Sequence, residues 1–145
     1  MELYVKRMAD MTPEELYELI KARIDVFVVE QNCPYSELDG RDRDAWHLWL
    51  KEGDELLGYL RVLPADEHYS EVAIGRVLSL RRRQGVATAL LKAGIETARE
   101  RMGAKRLMTE AQVYARGLYE KVGFRQTSAE FLEDGIPHIR MEMEL

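Results

Sequence analysis

A chain of 145 residues, 46% hydrophobic and 32% charged, is long enough to bury one self-sufficient core and too short for two ordinary domains. Its net charge of −5 argues against nucleic-acid binding, which requires a basic face, and is compatible with a cationic substrate such as an amine. The single cysteine, Cys33, has no internal disulfide partner, which suits a reducing, cytoplasmic compartment.

In chain order, Met1–Lys6 lacks the basic flank and apolar run of a signal peptide, and Leu3–Arg7 alternates as a short strand. No apolar run approaches the ~18 residues of a membrane span, so no membrane partner is expected. Thr12-Pro13-Glu14-Glu15 reads as a helix start, with Thr12 as cap, Pro13 at the first helical position and Glu15 completing a capping box. Leu16, Leu19, Ile20, Ile24, Phe27 and Val28 carry one apolar face through Val28. From Gln31 to Asp44 the periodicity dissolves into a long loop, a length usually reserved for functional or mobile segments.

Strands are predicted at His47–Leu50 and Leu56–Leu63 around an Glu52-Gly53-Asp54 turn, and again at Val72–Leu80. Ala87, Leu90, Leu91, Gly94, Ile95, Ala98 and Met102 then mark the clearest helix, stopped by Gly103. A strand at Lys105–Glu110 and a helix at Val113–Val122 follow. Two final strands, Phe124–Ser128 and Pro137–Leu145, are joined through a turn at Glu133-Asp134-Gly135. The predicted fold is a single α/β domain over residues 1–145, with a mixed sheet flanked by helices.

The segment from Val77 to Thr88 carries the chemistry. A strand ends, a turn holds Gly85 with small Ala87 two residues on, and a helix begins at once. Such a turn aims backbone N–H groups and the positive end of the helix dipole at an anion. The same segment equally suits an ordinary strand-to-helix connection with Arg81–Arg83 as solvated surface. It is neither a Walker loop nor a dinucleotide fingerprint, since it lacks Gly-Lys-Ser/Thr and has one glycine.

Arg82-Arg83-Gln84-Gly85-Val86-Ala87 resembles the Arg/Gln-x-x-Gly-x-Gly/Ala signature of the GNAT acetyltransferases, with a strand before it and a helix after. Gln112 through Phe124 resembles the family's second signature, with Gln112 in place of the usual asparagine. Val26–Tyr35, Glu37, Asp39-Gly40 and His47, together with Leu132–Ile139, look like the ElaA subgroup. The resemblance covers nearly the whole chain. It implies the GNAT fold, with a mostly antiparallel sheet, and acetyl transfer from acetyl-CoA to an amine by direct transfer in a ternary complex.

Carried over, the resemblance places the pyrophosphate on the turn at Arg82, Arg83, Gln84, Gly85, Val86, Ala87 and Thr88. It sets the pantetheine arm against the edge of Gly75, Arg76 and Val77, and lets the Leu78 amide polarise the thioester carbonyl. Gln112 stands where the family's side-chain contact with the cofactor lies. Tyr119 matches the general acid that protonates the departing thiolate; read without the motif, it is a half-buried aromatic on an amphipathic helix. The general base stays open among Glu30, Glu37, Glu71, Glu110, His47 and His138, each of which also reads as a solvated or paired residue.

Cys33 reads as a site-lining thiol or a small buried residue. Arg116, Lys121 and Arg125 read as a solvated helix face or as contacts to the 3′-phosphate of CoA. The acidic run from Glu37 to Asp44 departs from an EF-hand, and no spacing suggests zinc, so no metal is expected. A homodimer is a reasonable expectation for a small enzyme. Two rival readings are an acyl-CoA-binding regulatory domain without efficient catalysis, and a domain binding another phosphate ligand at Arg81–Thr88.

Overall fold

The computed structural model describes residues 1–80 and 85–145. Eight strands form one sheet: β1 (Glu2–Arg7), β2 (Trp46–Glu52), β3 (Glu55–Leu63), β4 (Val72–Ser79), β5 (Arg106–Gln112), β6 (Arg125–Gln126), β7 (Phe131–Glu133) and β8 (Ile136–Glu144). Their order is β1-β2-β3-β4-β5-β8-β6, with β7 also paired to β8. Every pairing is antiparallel except β4 with β5.

Helix α1 (Pro13–Arg23) begins as the sequence dictates. Thr12 Oγ1 accepts from the Glu15 amide at 3.1 Å, and Glu15 Oε1 accepts from the Thr12 amide at 2.8 Å. Past Arg23 the predicted α-helix widens into a π-helical stretch, Ile24–Glu30, in which the Gln31 and Cys33 amides reach back five residues, to Val26 and Val28. The extra residue per turn rotates the face, so Val26 and Phe27 pack on the buried Trp49 and Tyr59 side while Val29 is exposed.

Helix α2 (Val86–Met102) covers the other face, burying Val86, Leu90, Leu91, Ile95 and Ala98 against Leu48, Leu60, Val62, Ile74 and Leu107. Each such aliphatic side chain contributes about 1.5–3 kcal/mol by leaving water. Gly58 on β3 lets the helix start approach closely, since a Cβ there would lie 2.7 Å from Val86 Cγ1 and 2.8 Å from the Leu78 carbonyl oxygen. Helix α3 (Arg116–Lys121) follows a 3₁₀ turn, Val113–Ala115, so the predicted Val113–Val122 helix is in two pieces.

The C-terminal third differs most from expectation. The predicted strand Phe124–Ser128 shrinks to Arg125–Gln126, and β7 stands where no strand was expected. The Asp134-Gly135 turn joins β7 to β8; both residues have positive φ (51° and 78°), the geometry of a tight two-residue hairpin. No helix of the described residues is long and apolar enough to cross a membrane.

Candidate active site

Gly85 opens α2 in the left-handed conformation (φ 70°), and among the described residues nothing lies within 4 Å of the position its Cβ would occupy. Glycine is favoured there by backbone shape. The Ala89 amide makes the first intrahelical bond, to the Gly85 carbonyl at 3.0 Å. The amides of Val86, Ala87 and Thr88 therefore lie in the first turn, where the helix presents N–H groups to an anion. Arg82, Arg83 and Gln84, the rest of the predicted cradle, lie outside the described residues.

Beside this helix end the sheet forks. Strands β4 and β5 pair through Val72↔Leu107, Ala73↔Met108 and Ile74↔Thr109, and no further. Strand β4 continues to Ser79 and β5 to Gln112. The predicted pantetheine edge, Gly75–Leu78, thus faces a gap where a ladder would otherwise run. The cause is a bulge: between Tyr59↔Leu78 and Arg61↔Gly75, β4 spends one more residue than β3. Arg76 sits in that bulge with φ 54°, a left-handed conformation that costs a non-glycine residue roughly 1–2 kcal/mol.

Tyr119 lies at the closed end of the fork. Its buried ring meets Phe124 edge-to-face at 5.7 Å, and its hydroxyl hydrogen-bonds with the side chain of Thr109, the last β5 residue paired with β4. Thr109 Oγ1 donates in turn to the Ile74 carbonyl at 2.9 Å. Burial pushes the Tyr119 phenol above its ordinary value, only partly opposed by the Thr109 bond. A phenol so placed keeps its proton at neutral pH and can donate it to negative charge that develops in the fork.

The opposite face of the sheet is built from charge. Arg23 Nε donates to Glu37 Oε2 at 2.7 Å, and Arg76 Nε donates to the same oxygen at 2.8 Å. Asp42 Oδ1 accepts from Arg23 at 2.8 Å and from Arg61 at 2.9 Å, while Arg61 and Arg76 both reach Asp39. Three guanidinium groups thus balance three carboxylates, with Arg23, Arg61 and Glu37 buried. Tyr59 donates to His47 Nδ1 at 2.6 Å, and His47 Nε2 donates to the Asp42 carbonyl at 2.9 Å. This network moors the 31–44 loop to α1, β3 and the β4 bulge. At the start of the loop, Cys33 Sγ donates to the Asp134 carbonyl at 3.4 Å, and Gln31 and Gln112 exchange side-chain amides at 3.3 and 3.5 Å.

An acetyltransferase (GNAT) domain profile matches residues 8–145. The chain belongs to the GNAT acetyltransferase family. It is 36% identical to protein ElaA of Escherichia coli, an alignment covering 94% of this chain and 92% of ElaA. The crystal structure of E. coli ElaA superposes with a TM-score of 0.91 at 35% identity, over 99% of each chain. An acyl-CoA N-acyltransferase from Pseudomonas aeruginosa gives 0.88 at 39% identity, over 98% of each chain. The GNAT fold expected from the sequence is therefore present, and with it a family that uses an acyl-CoA and an acceptor.

Within this GNAT chain, the structure sorts the candidate bases. Glu37 is consumed by two guanidinium groups, and His47 has both ring nitrogens engaged, with burial lowering its pKa. Gln112 is turned to Gln31 on the loop side. Arg116 is exposed and paired with Glu120 and Gln126, and Lys121 and Arg125 are exposed too, as on a solvated face. Glu110 instead meets Glu133, a residue read from sequence as part of a turn. The Asp134-Gly135 dipeptide was the available signal, since a two-residue turn sets Glu133 opposite Ile136 and Phe131 opposite His138.

Proposed function

We propose that the chain is an acetyl-CoA-dependent N-acetyltransferase, one domain over residues 1–145, which acetylates a primary amine by direct transfer in a ternary complex. The observation that carries this reading is the fork with the Tyr119 phenol at its closed end, beside the left-handed start of α2. The Gly85–Thr88 amides, with Arg82, Arg83 and Gln84 before them, would hold the pyrophosphate. Gly75, Arg76 and Val77 offer a strand edge to the amide-bearing pantetheine arm, and Leu78 an amide to the thioester carbonyl.

The acceptor approaches from the face walled by the 31–44 loop. Its nitrogen attacks the thioester carbon, and Tyr119 protonates the departing sulfur. The departing thiolate, whose conjugate thiol has a reference pKa of roughly 8.5, is a far stronger base than the amide left behind, so the phenol's proton goes to sulfur.

The test is thiol release from acetyl-CoA across a panel of primary amines, with wild type and Tyr119→Phe. Loss of a general acid is expected to cost about 10²-fold or more in rate at saturating substrates. An unchanged rate removes Tyr119 from the mechanism. Thermal protection by CoA without release of thiol on any amine would leave the regulatory-domain reading instead.

A further inference from the structure

We propose that Glu133, tuned by Glu110 and oriented by His138, is the general base that takes the proton from the acceptor's ammonium group. The inference rests on the acetyl-transfer reading above and supplies the step that reading leaves unassigned. A primary ammonium with a pKa near that of lysine, about 10.4, has no lone pair with which to attack until a proton leaves.

Geometry leads to this residue. Successive residues of a strand point to opposite faces. Thr109 is bonded to Tyr119 beneath the sheet, so Glu110, the first β5 residue beyond the last β4 pairing, turns to the acceptor face. There it meets Glu133 at the end of β7, fixed in place by the final hairpin pairing, Glu133↔Ile136. Arg76, on the other tine of the fork, acts electrostatically on the same carboxyl. The proposed base and acid thus lie on opposite faces, with the thioester slot between them.

His138 stands against this carboxyl. Its Nδ1 lies 2.7 Å from the Ile136 carbonyl oxygen, which can only accept, so the ring hydrogen sits on Nδ1. Nε2 then faces Glu133 Oε2 at 3.4 Å with its lone pair. When Glu133 holds a proton, its carboxyl can donate to that nitrogen, so His138 fixes the orientation of the carboxyl. The groups around Glu133 are Glu110 on β5, Arg76 on β4, His138 on β8, Asp134 in its own turn and Tyr69 before β4. Burial, then the hydrogen bond and charge of Glu110, push the Glu133 carboxyl up to about 7, whereas Arg76 pulls it down. A base poised there matches a reaction run at neutral pH.

The step balances. The ammonium gives one proton to the Glu133 carboxylate, and the freed lone pair forms the C–N bond. On collapse the C–S bond breaks and sulfur takes the Tyr119 proton. The second N–H proton, released as the amide forms, restores the phenol, and Glu133 returns its proton to water.

The experiment uses ethylamine and trifluoroethylamine, two acceptors of one shape, of which the second is largely unprotonated at neutral pH. In wild type, kcat/KM for ethylamine is expected to rise with pH through a limb near 7. In Glu133→Gln that limb disappears, and the ethylamine rate falls by about 10²-fold or more. Trifluoroethylamine, needing no base, is expected to lose far less. In Glu110→Gln the limb moves to lower pH, because a like charge has gone; this second variant serves if the first does not fold. An equal loss for both amines in Glu133→Gln, or an unmoved limb in Glu110→Gln, overturns the assignment and leaves acetyl transfer standing. No thiol release by wild type with these two or any other primary amine of the panel, at any pH, overturns both.

Discussion

The two faces of the fork are made from different materials. Among the described residues, the proposed donor side is mostly backbone: a left-handed glycine, the first turn of a helix and a strand edge released by a bulge. The proposed acceptor side is side chains, with Arg23, Arg61 and Arg76 set against Glu37, Asp39 and Asp42. A backbone cradle tolerates many side chains and recognises what every acyl-CoA shares. A side-chain network is residue-specific, and failure at one member strands the others. The donor half is therefore expected to respond to changes in backbone shape, and the acceptor half to loss of charge.

The largest test of that contrast is Glu37→Ala. It leaves Arg23 and Arg76 each short of a carboxylate, and breaking a buried pair from one side costs about 3–5 kcal/mol. Urea unfolding is expected to show that loss without an equal loss of acetyl-CoA affinity. Matching losses would show that Glu37, through Arg76 in the bulge, builds the donor slot as well. Gly85→Ala is the complementary change. It strains φ by roughly 1–2 kcal/mol while removing no contact, and is expected to raise the KM for acetyl-CoA more than it lowers stability.

The smallest effect is in the pH dependence of melting. Burial lowers the His47 pKa, so its contribution is complete above the ordinary value of about 6.5 and is lost as pH falls through the lower folded value. Burial opposes ionisation of Asp39 and Asp42, but hydrogen bonds from Arg61 and Arg23 outweigh it and hold both below the usual carboxylate range. Their contribution is present above an unfolded value of about 3.9 and drains as pH falls below it. Glu133 runs the other way, since a raised carboxyl stabilises the fold at low pH and ceases to as pH rises through about 7. Glu133→Gln is expected to flatten the alkaline decline and leave the acid side intact in a series of melting curves.

What could be read in advance follows the same division. The Thr12–Glu15 capping box, the stripe of α2 and the glycine before it are patterns within a few residues, and the structure keeps the box, the stripe and a left-handed Gly85. The resemblance in sequence then supplied the GNAT fold. The ion network joins residues as far apart as Arg76 and Glu37, 39 positions away, and no local pattern predicts that pairing. The π-helical stretch escaped because a periodicity of 3.6 counts Ile24, Phe27 and Val28 as one face. Strand β7 escaped because its three residues exist as a strand only through their pairing with β8. Glu133 was hidden for the same reason, as its partners Glu110 and His138 meet it only after the hairpin closes.

Cys33 gives the protein a gauge of its own. It is the only thiol in the chain, buried where the 31–44 loop bonds to the Asp134 turn. In a disulfide-exchange assay, liberated CoA would react at once, followed by a slow phase of one equivalent per chain. The rate of that second phase measures how often the acceptor wall lifts from the hairpin, and its retardation by an amine would register acceptor occupancy before any acetyl group moves.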